Sequence, residues 1–224
     1  MGEEDTSAPL RLEEDHPSIV VVGGFDPRVF APGWFRSQGL LSQAEADAAS
    51  LKVLTPDVAQ WETEWLLLQV TADRLFARAT VSSASEPLRD LVIGILQLLE
   101  QTKATALGLN RSMHFDVGGE TNWHRIGDAL APKALWGAHL KNRPGMLTLQ
   151  LTEQRTDGMT GRTMVTVQPS TRVRHGVYFD VNSEVTYDGD ESAPYFANVL
   201  KDHWRPVFDA AYSMANDVLG GALQ

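Results

Sequence analysis

The sequence predicts an α+β fold, built from a duplicated unit of strand, short helix, antiparallel strands and helix. Short apolar or alternating runs that end in turn residues predict the strands, and two amphipathic stretches predict two long helices. The same order of elements occurs in both halves of the chain, which predicts the duplication. We therefore expect curved antiparallel sheet, in one piece or two, covered by the two long helices.

The first predicted unit covers residues 18–103. The run SIVVVGGF at 18–25 is rich in β-branched residues and ends in a Gly-Gly pair, which predicts a buried strand. Ser42 and Glu45 have the spacing of a capping box for a short helix. Residues 60–82 alternate in polarity and predict two strands joined by a tight turn at 71–74. Apolar residues three and four apart then predict a helix that reaches about Thr102.

The second predicted unit covers residues 104–224, and we expect the two units to form one compact domain. A strand is predicted at 106–115, and a helix at 195–219 is predicted to kink or break before Pro206. Three further strands are predicted at 146–153, 162–168 and 177–187.

Three identities support the duplication at a single offset of 89 residues. They pair Trp34 with Trp123, Arg36 with Arg125, and Leu41 with Leu130.

Charge and composition exclude several classes of function. The net charge is −10, and no long run of basic residues offers the footprint that duplex nucleic acid requires, so duplex nucleic acid is not an expected partner. Residues 1–17 are acidic and poor in apolar side chains, which predicts a disordered arm. The chain has no cysteine, which excludes a disulfide framework and Cys-ligated metals. Without a signal-like or membrane-spanning run, we expect a cytoplasmic protein with no membrane partner.

The densest group of residues with catalytic potential is His114, Asp116, Glu120 and His124. Histidine and carboxylate side chains suit a divalent metal or an acid/base pair, so a hydrolase that uses His114, Asp116 and His124 is one hypothesis. The spacing matches no established metal signature, and a capped, solvated junction explains the same residues. Serine-nucleophile, phosphate-loop and dinucleotide motifs are absent, and we expect no cofactor.

The chain has six tryptophans, a high number for its aromatic content. Trp61 and Trp65 share a face if both lie on one strand. Trp123, Arg125 and Trp136 are predicted to lie in a connection interrupted by glycine and proline, where burial is less assured. Tryptophan and arginine are typical anchors of protein interfaces, whereas the alternative is that the tryptophans are core residues. The candidate binding residues are Trp34, Arg36, Trp123, Arg125 and Trp136.

This order of elements resembles the half-repeat of the TATA-binding-protein-like fold and, less closely, the SecB-type export chaperones. The first resemblance implies DNA binding, which the acidic charge opposes, and the second implies binding of client proteins. From Ser18 onward the chain also resembles a sporadically distributed family of uncharacterised bacterial proteins, which implies no activity. We therefore expect a non-enzymatic protein-binding or assembly module of a bacterial cytoplasmic system, with a protein partner or self-association. The alternatives are the hydrolase and a small-molecule or nucleotide sensor.

Overall fold

A computed structural model describes residues 10–142, 144–190 and 192–224. They form a nine-stranded antiparallel sheet with the strand order β2-β3-β4-β5-β1-β6-β9-β8-β7. The strands are β1 (Arg11–Gly23), β2 (Ser50–Leu54), β3 (Val58–Glu62), β4 (Leu66–Thr71), β5 (Arg74–Ala79), β6 (Ala104–Asp116), β7 (Leu149–Gln154), β8 (Gly161–Pro169) and β9 (Gly176–Thr186). The predicted α+β class is confirmed, whereas the duplication stays a prediction.

In the described part of the chain, five α-helices connect and cover these strands. They are α1 (Pro32–Ser37), α2 (Gln43–Asp47), α3 (Ser85–Leu98), α4 (Glu120–Leu130) and α5 (Ser192–Gly221). The predicted capping box is present at α2, where Glu45 N donates to Ser42 Oγ at 3.2 Å and Ser42 N donates to Glu45 Oε2 at 2.8 Å. Among the described residues, no helix is long and apolar enough to cross a membrane.

The acidic arm predicted for residues 1–17 was wrong for residues 11–17, which form the first half of β1. They pair with β6 between Arg111 and Asp116. Local charge and hydropathy could not predict this, because the pairing strand supplies the compensating side chain: the Asp15 carboxylate is bound by Arg111. Residues 1–9 of the predicted arm lie outside the described residues.

The predicted break before Pro206 was also wrong, since α5 continues through this proline. Proline removes one helical hydrogen bond. Trp204 and Phe208, on either side of it, are both buried in the core, and this packing holds the two parts of α5 in one helix. The alternative of a kink stays a prediction.

The apolar core has two clusters, and α5 crosses both. The first contains α3, parts of β1 and β3–β5, and α5 as far as Phe208. The second contains Ile126 of α4, parts of β6, β8 and β9, and α5 from Ala211 to Leu219. The long helix therefore ties the two core clusters together.

The core is built on one face of the sheet. Ile19 of β1 lies between Ala77 of β5 and Leu109 of β6, and all three are buried under helices. Alternate residues of a strand point to opposite faces. The other face, which we call the open face, therefore carries the residues in between, such as Ser18 and Asn110.

Candidate binding site on the open face of the sheet

The open face carries a row of mostly polar side chains across its centre. The register places eight residues side by side in this row: Glu62, Leu67, Arg78, Ser18, Asn110, Asn182, Met164 and Thr152. The middle of the row is occluded, since Ser18 and Asn110 are buried although they face away from the helices. Polar side chains in such a position require hydrogen-bond partners.

Three buried polar atoms on this face have no such partner. They are His16 Nδ1 on β1, Arg78 Nε on β5 and Asn110 Oδ1 on β6, and they are the unpartnered buried side-chain atoms found in the described part of the chain. Asn110 is only 8% exposed. The three strands are neighbours in the sheet, with β1 in the middle. An unsatisfied buried polar atom costs about 1–3 kcal/mol, so three of them on neighbouring strands mark a place where ordered water or a bound molecule supplies the missing partners.

The three atoms line a strip of the open face that we call the β1 channel. Its floor is His16, Ser18 and Val20 of β1, one flank is Arg74, Phe76 and Arg78 of β5, and the other flank is Gly108, Asn110 and Ser112 of β6. The flanking strands are two strand spacings apart, about 9–10 Å, which is the width that an extended polypeptide chain occupies. Gly108 has no side chain, and the Asn110 amide lies about 3.4 Å from the position that a Cβ at Gly108 would take.

The β5 flank carries two arginines without an acidic partner. Neither Arg74 nor Arg78 forms an ion pair with a described residue. The Arg74 guanidinium lies over the Phe76 ring, 5.4 Å from its centroid. By contrast, Arg162 on the same face pairs with Glu184 at 3.2 Å. The β5 flank is therefore a basic and aromatic strip on an otherwise acidic protein.

A hydrogen-bonded triad lies beside the channel, on β6 and β9. Tyr178 Oη donates to Ser112 Oγ at 3.2 Å, and Ser112 Oγ donates to Asp180 Oδ1 at 2.5 Å. Burial raises the pKa of Asp180, and the hydrogen bonds from Ser112 and Tyr178 oppose this shift. Burial also raises the pKa of Tyr178. The three side chains of the triad therefore supply hydrogen-bond partners to one another, in contrast to the unpartnered atoms of the channel.

His114 lies next to the triad on the open face, where it is paired with Tyr178. It is buried beneath the turn between β8 and β9, where its Nδ1 is hydrogen-bonded to Ser170 Oγ at 2.8 Å. Burial lowers the pKa of His114, and the charge of Glu14 opposes this shift. His16 Nε2 donates to Glu14 Oε2 at 2.9 Å, which lowers the pKa of Glu14, and His16 Nδ1 has no hydrogen-bond partner among the described residues.

The predicted catalytic residues do not gather into one cluster. His114 contacts Ser170 and Tyr178, whereas His124 on α4 contacts Glu120 and Trp123. Asp116 accepts hydrogen bonds from Arg11 and from the backbone of Gly118.

Glu120 also approaches His175, at 3.9 Å. Within the described ranges, no group of three or more His, Cys, Asp or Glu residues has a geometry that could hold a metal ion.

The candidate binding residues have different environments. Trp34 lies on α1 and packs against the first core cluster, and Trp123 packs against the second. Arg36 reaches Asp47 at 4.0 Å, while Arg125 Nη1 donates to the carbonyl oxygen of Leu223 at 2.9 Å. Residues 123–125 lie in α4, in the place of the short helix that the predicted order of elements puts after the strand, and not in a connection interrupted by glycine and proline.

Trp61 is a core residue and Trp65 packs against the core, and the indole N–H groups of both are hydrogen-bonded. Trp61 Nε1 donates to the Phe30 carbonyl oxygen at 2.7 Å, and Trp65 Nε1 donates to Glu45 Oε1 at 2.8 Å. Trp65 follows β3 instead of lying on it. Trp136, in contrast, is 55% exposed.

A cavity of about 350 Å³ lies between α4 and the end of the sheet. Trp123, Ile126, Met146 and Val177 form apolar walls. Lys133 also lines it, but this amine is already paired with Asp128 at 3.0 Å and donates to the Gly127 carbonyl oxygen at 2.6 Å. Among the described residues that line it, the cavity therefore offers apolar contacts and no unpaired lysine or arginine.

Sequence reasoning missed Arg78, Asn110 and His16. A signal for Asn110 was present, since Gly108 and Asn110 alternate with Leu107 and Leu109 along a predicted strand. No local signal connects that strand with Arg78, because the two are joined only through β1.

Comparison with known protein families gives no matching family model for this chain, and no curated protein matches its sequence.

Proposed function

We propose that this protein is a non-enzymatic protein-binding module that holds an extended polypeptide segment of its partner in the β1 channel. Its setting is proposed to be a bacterial cytoplasmic assembly. The observation that carries this proposal is the convergence of three unpartnered buried atoms, on three neighbouring strands, in one strip of the open face.

The chemistry of these atoms favours a peptide backbone as the ligand. Asn110 Oδ1 accepts hydrogen bonds, Arg78 Nε donates one, and His16 Nδ1 accepts one when the imidazole is neutral. A peptide backbone presents both N–H donors and C=O acceptors along an extended chain. Val20 and Phe76 add apolar contacts, as is typical of peptide-binding sheets and grooves.

The hydrolase alternative has no comparable support, because His114 and His124 contact different neighbours.

The duplication fits this proposal. β1 and β6 are adjacent central strands of 13 residues each, and each is followed by a helix that contains a tryptophan, Trp34 or Trp123. We propose that these strands head two related units, 18–103 and 104–224, which together form one domain related to the bacterial family that the chain resembles. The channel would then run along the junction of the two units.

The test is a selection of binding peptides followed by mutation of the channel. Peptides of 12 random residues are displayed on phage and selected on the full chain, and the affinity of enriched peptides is measured by fluorescence anisotropy. Asn110→Ala is expected to weaken binding about tenfold or more, since it removes a buried acceptor. Gly108→Val, whose new side chain projects into the channel, is expected to abolish binding.

The matched control is Gln154→Ala, an amide on the same face but on the edge strand β7. It is expected to leave the affinity unchanged, and thermal melts verify that all variants fold. The proposal is overturned if no peptide is enriched, or if enriched peptides bind Asn110→Ala and Gly108→Val as tightly as the parent chain.

Small-molecule sensing is the second candidate function, because the apolar cavity beside α4 has the size of a ligand site. The dye 8-anilinonaphthalene-1-sulfonate is a suitable probe. Met146→Glu places a charge in the apolar wall and is expected to abolish dye fluorescence if the cavity binds apolar ligands. Equal fluorescence of both proteins would exclude the cavity as the binding site.

A further inference from the structure

We propose that the segment bound in the β1 channel is acidic, with two carboxylates four residues apart on either side of an apolar residue. This inference rests on the proposed function and specifies the chemistry of the partner. Its basis is the β5 flank, where Arg74, Phe76 and Arg78 occupy alternate positions and therefore project from the same face.

Arg74 and Arg78 are both able to bind anionic groups. Neither is neutralised by a described carboxylate, whereas Arg162, farther along the same face, already has Glu184 as its partner. Arg78 Nε is buried without a hydrogen-bond acceptor. Guanidinium groups bind carboxylates with two parallel hydrogen bonds, so a carboxylate at this position satisfies both the charge and the orphaned donor.

The spacing of the two carboxylates in the bound segment follows from strand geometry. Arg74 and Arg78 are four residues apart on β5, which corresponds to about 13–14 Å. An extended segment that runs along β1 has the same rise per residue, so its first and fifth side chains face the two arginines. Its third side chain faces Phe76, which with Val20 offers an apolar contact. The predicted pattern is acidic-x-apolar-x-acidic.

The charge distribution across the channel sets the side on which the acidic residues lie. On the β9 side of the open face, Arg162 is already paired with Glu184 and Asp180 is hydrogen-bonded to Ser112, so no unpaired arginine of the described residues faces a bound carboxylate there. A single-stranded nucleic acid also combines negative charge with groups that stack on aromatic rings. Two arginines and one phenylalanine on a protein of net charge −10 favour the peptide, because phosphate tracking requires a longer basic strip.

The experiment compares three labelled ten-residue peptides by fluorescence anisotropy with the full chain. The first contains Asp-Ala-Leu-Ala-Asp, the second has both Asp residues replaced by Asn, and the third has the acids only three residues apart. The first peptide is expected to bind about tenfold or more tighter than the other two, an advantage that falls with added salt. In Arg78→Gln this advantage is expected to be lost, and in the control Arg162→Gln it is expected to persist.

The outcomes separate this inference from the function on which it rests. Equal affinity for the acidic and amide peptides overturns the acidic pattern and leaves peptide binding intact. If none of the three binds while phage-selected peptides do, the acidic pattern is overturned and the channel keeps its proposed role. If a labelled oligo(dT) binds more tightly than every peptide and Arg78→Gln abolishes that binding, both the acidic-segment inference and the proposed function are wrong.

Discussion

Asp15 of β1 and Arg111 of β6 form a paired ion contact on the helix-covered face of the sheet. Arg111 Nη2 and Nε donate to the two carboxylate oxygens at 2.7 and 3.0 Å, and both side chains are only 12% exposed. Arg111 Nη1 also donates to the Phe208 carbonyl oxygen at 2.8 Å, and its guanidinium lies over the Phe208 ring. The pair therefore connects β1, β6 and α5 at the boundary between the two core clusters.

Replacing Arg111 is expected to be strongly destabilising. Arg111→Ala leaves the Asp15 carboxylate buried without a partner, which typically costs about 3–5 kcal/mol of the free energy of unfolding. Urea denaturation followed by fluorescence measures the change. The control is Arg28→Ala, which breaks the solvent-exposed pair with Asp26 and is expected to have little effect. Similar losses in both variants would contradict the role assigned to Arg111.

Removal of residues 1–17 is expected to lower the melting temperature by about 10 °C or more, because it deletes half of β1 and the partner of Arg111. The expectation from sequence alone, a disordered arm, predicts a shift of only a few degrees. Differential scanning calorimetry of the full and shortened chains distinguishes the two. An unchanged melting temperature would mean that this part of the β1–β6 pairing contributes little to stability.

Asp180→Asn is expected to stabilise the protein at pH 7. Because burial raises the folded-state pKa of Asp180, the folded protein holds this proton more tightly than the unfolded chain. The stabilising contribution of the protonated group is fully present below the unfolded pKa and is lost as the pH rises through the folded pKa. Thermal melts from pH 3.5 to pH 7 are expected to show an advantage of the Asn variant that grows with pH. If the Asn variant were more stable by the same amount at every pH, the raised pKa of Asp180 would not be the cause.

Truncation of Trp61 is expected to lower the stability of the protein, whereas truncation of Trp136 is expected to leave it unchanged. Trp61→Ala removes a fully buried indole and its hydrogen bond to Phe30, at a cost of about 3–5 kcal/mol of the free energy of unfolding. Trp136→Ala removes a mostly exposed ring and is expected to leave the melting temperature unchanged. A large loss of stability in Trp136→Ala would show that this residue belongs to the core.

Pro206→Ala is expected to stabilise α5. The proline is exposed and lies inside a 30-residue helix, so alanine restores one backbone hydrogen bond and relieves the steric conflict with the preceding turn. The expected gain in the free energy of unfolding is about 1–3 kcal/mol, measured by urea denaturation. A loss of stability would indicate that the proline shapes the helix to fit both core clusters.

The sequence by itself determined the α+β class and the elements that depend on neighbours along the chain. The capping box of Ser42 and Glu45, the hairpin turn before Arg74, and α3 were predictable, because turn chemistry and periodicity are encoded within a few residues. Only the tertiary structure decided that β1 pairs with both β5 and β6. That pairing orders the residues before Ser18 through Arg111, and it brings His16, Arg78 and Asn110 into one strip. Pairing of strands that are distant in the chain depends on the burial of whole faces, a quantity that no local window contains.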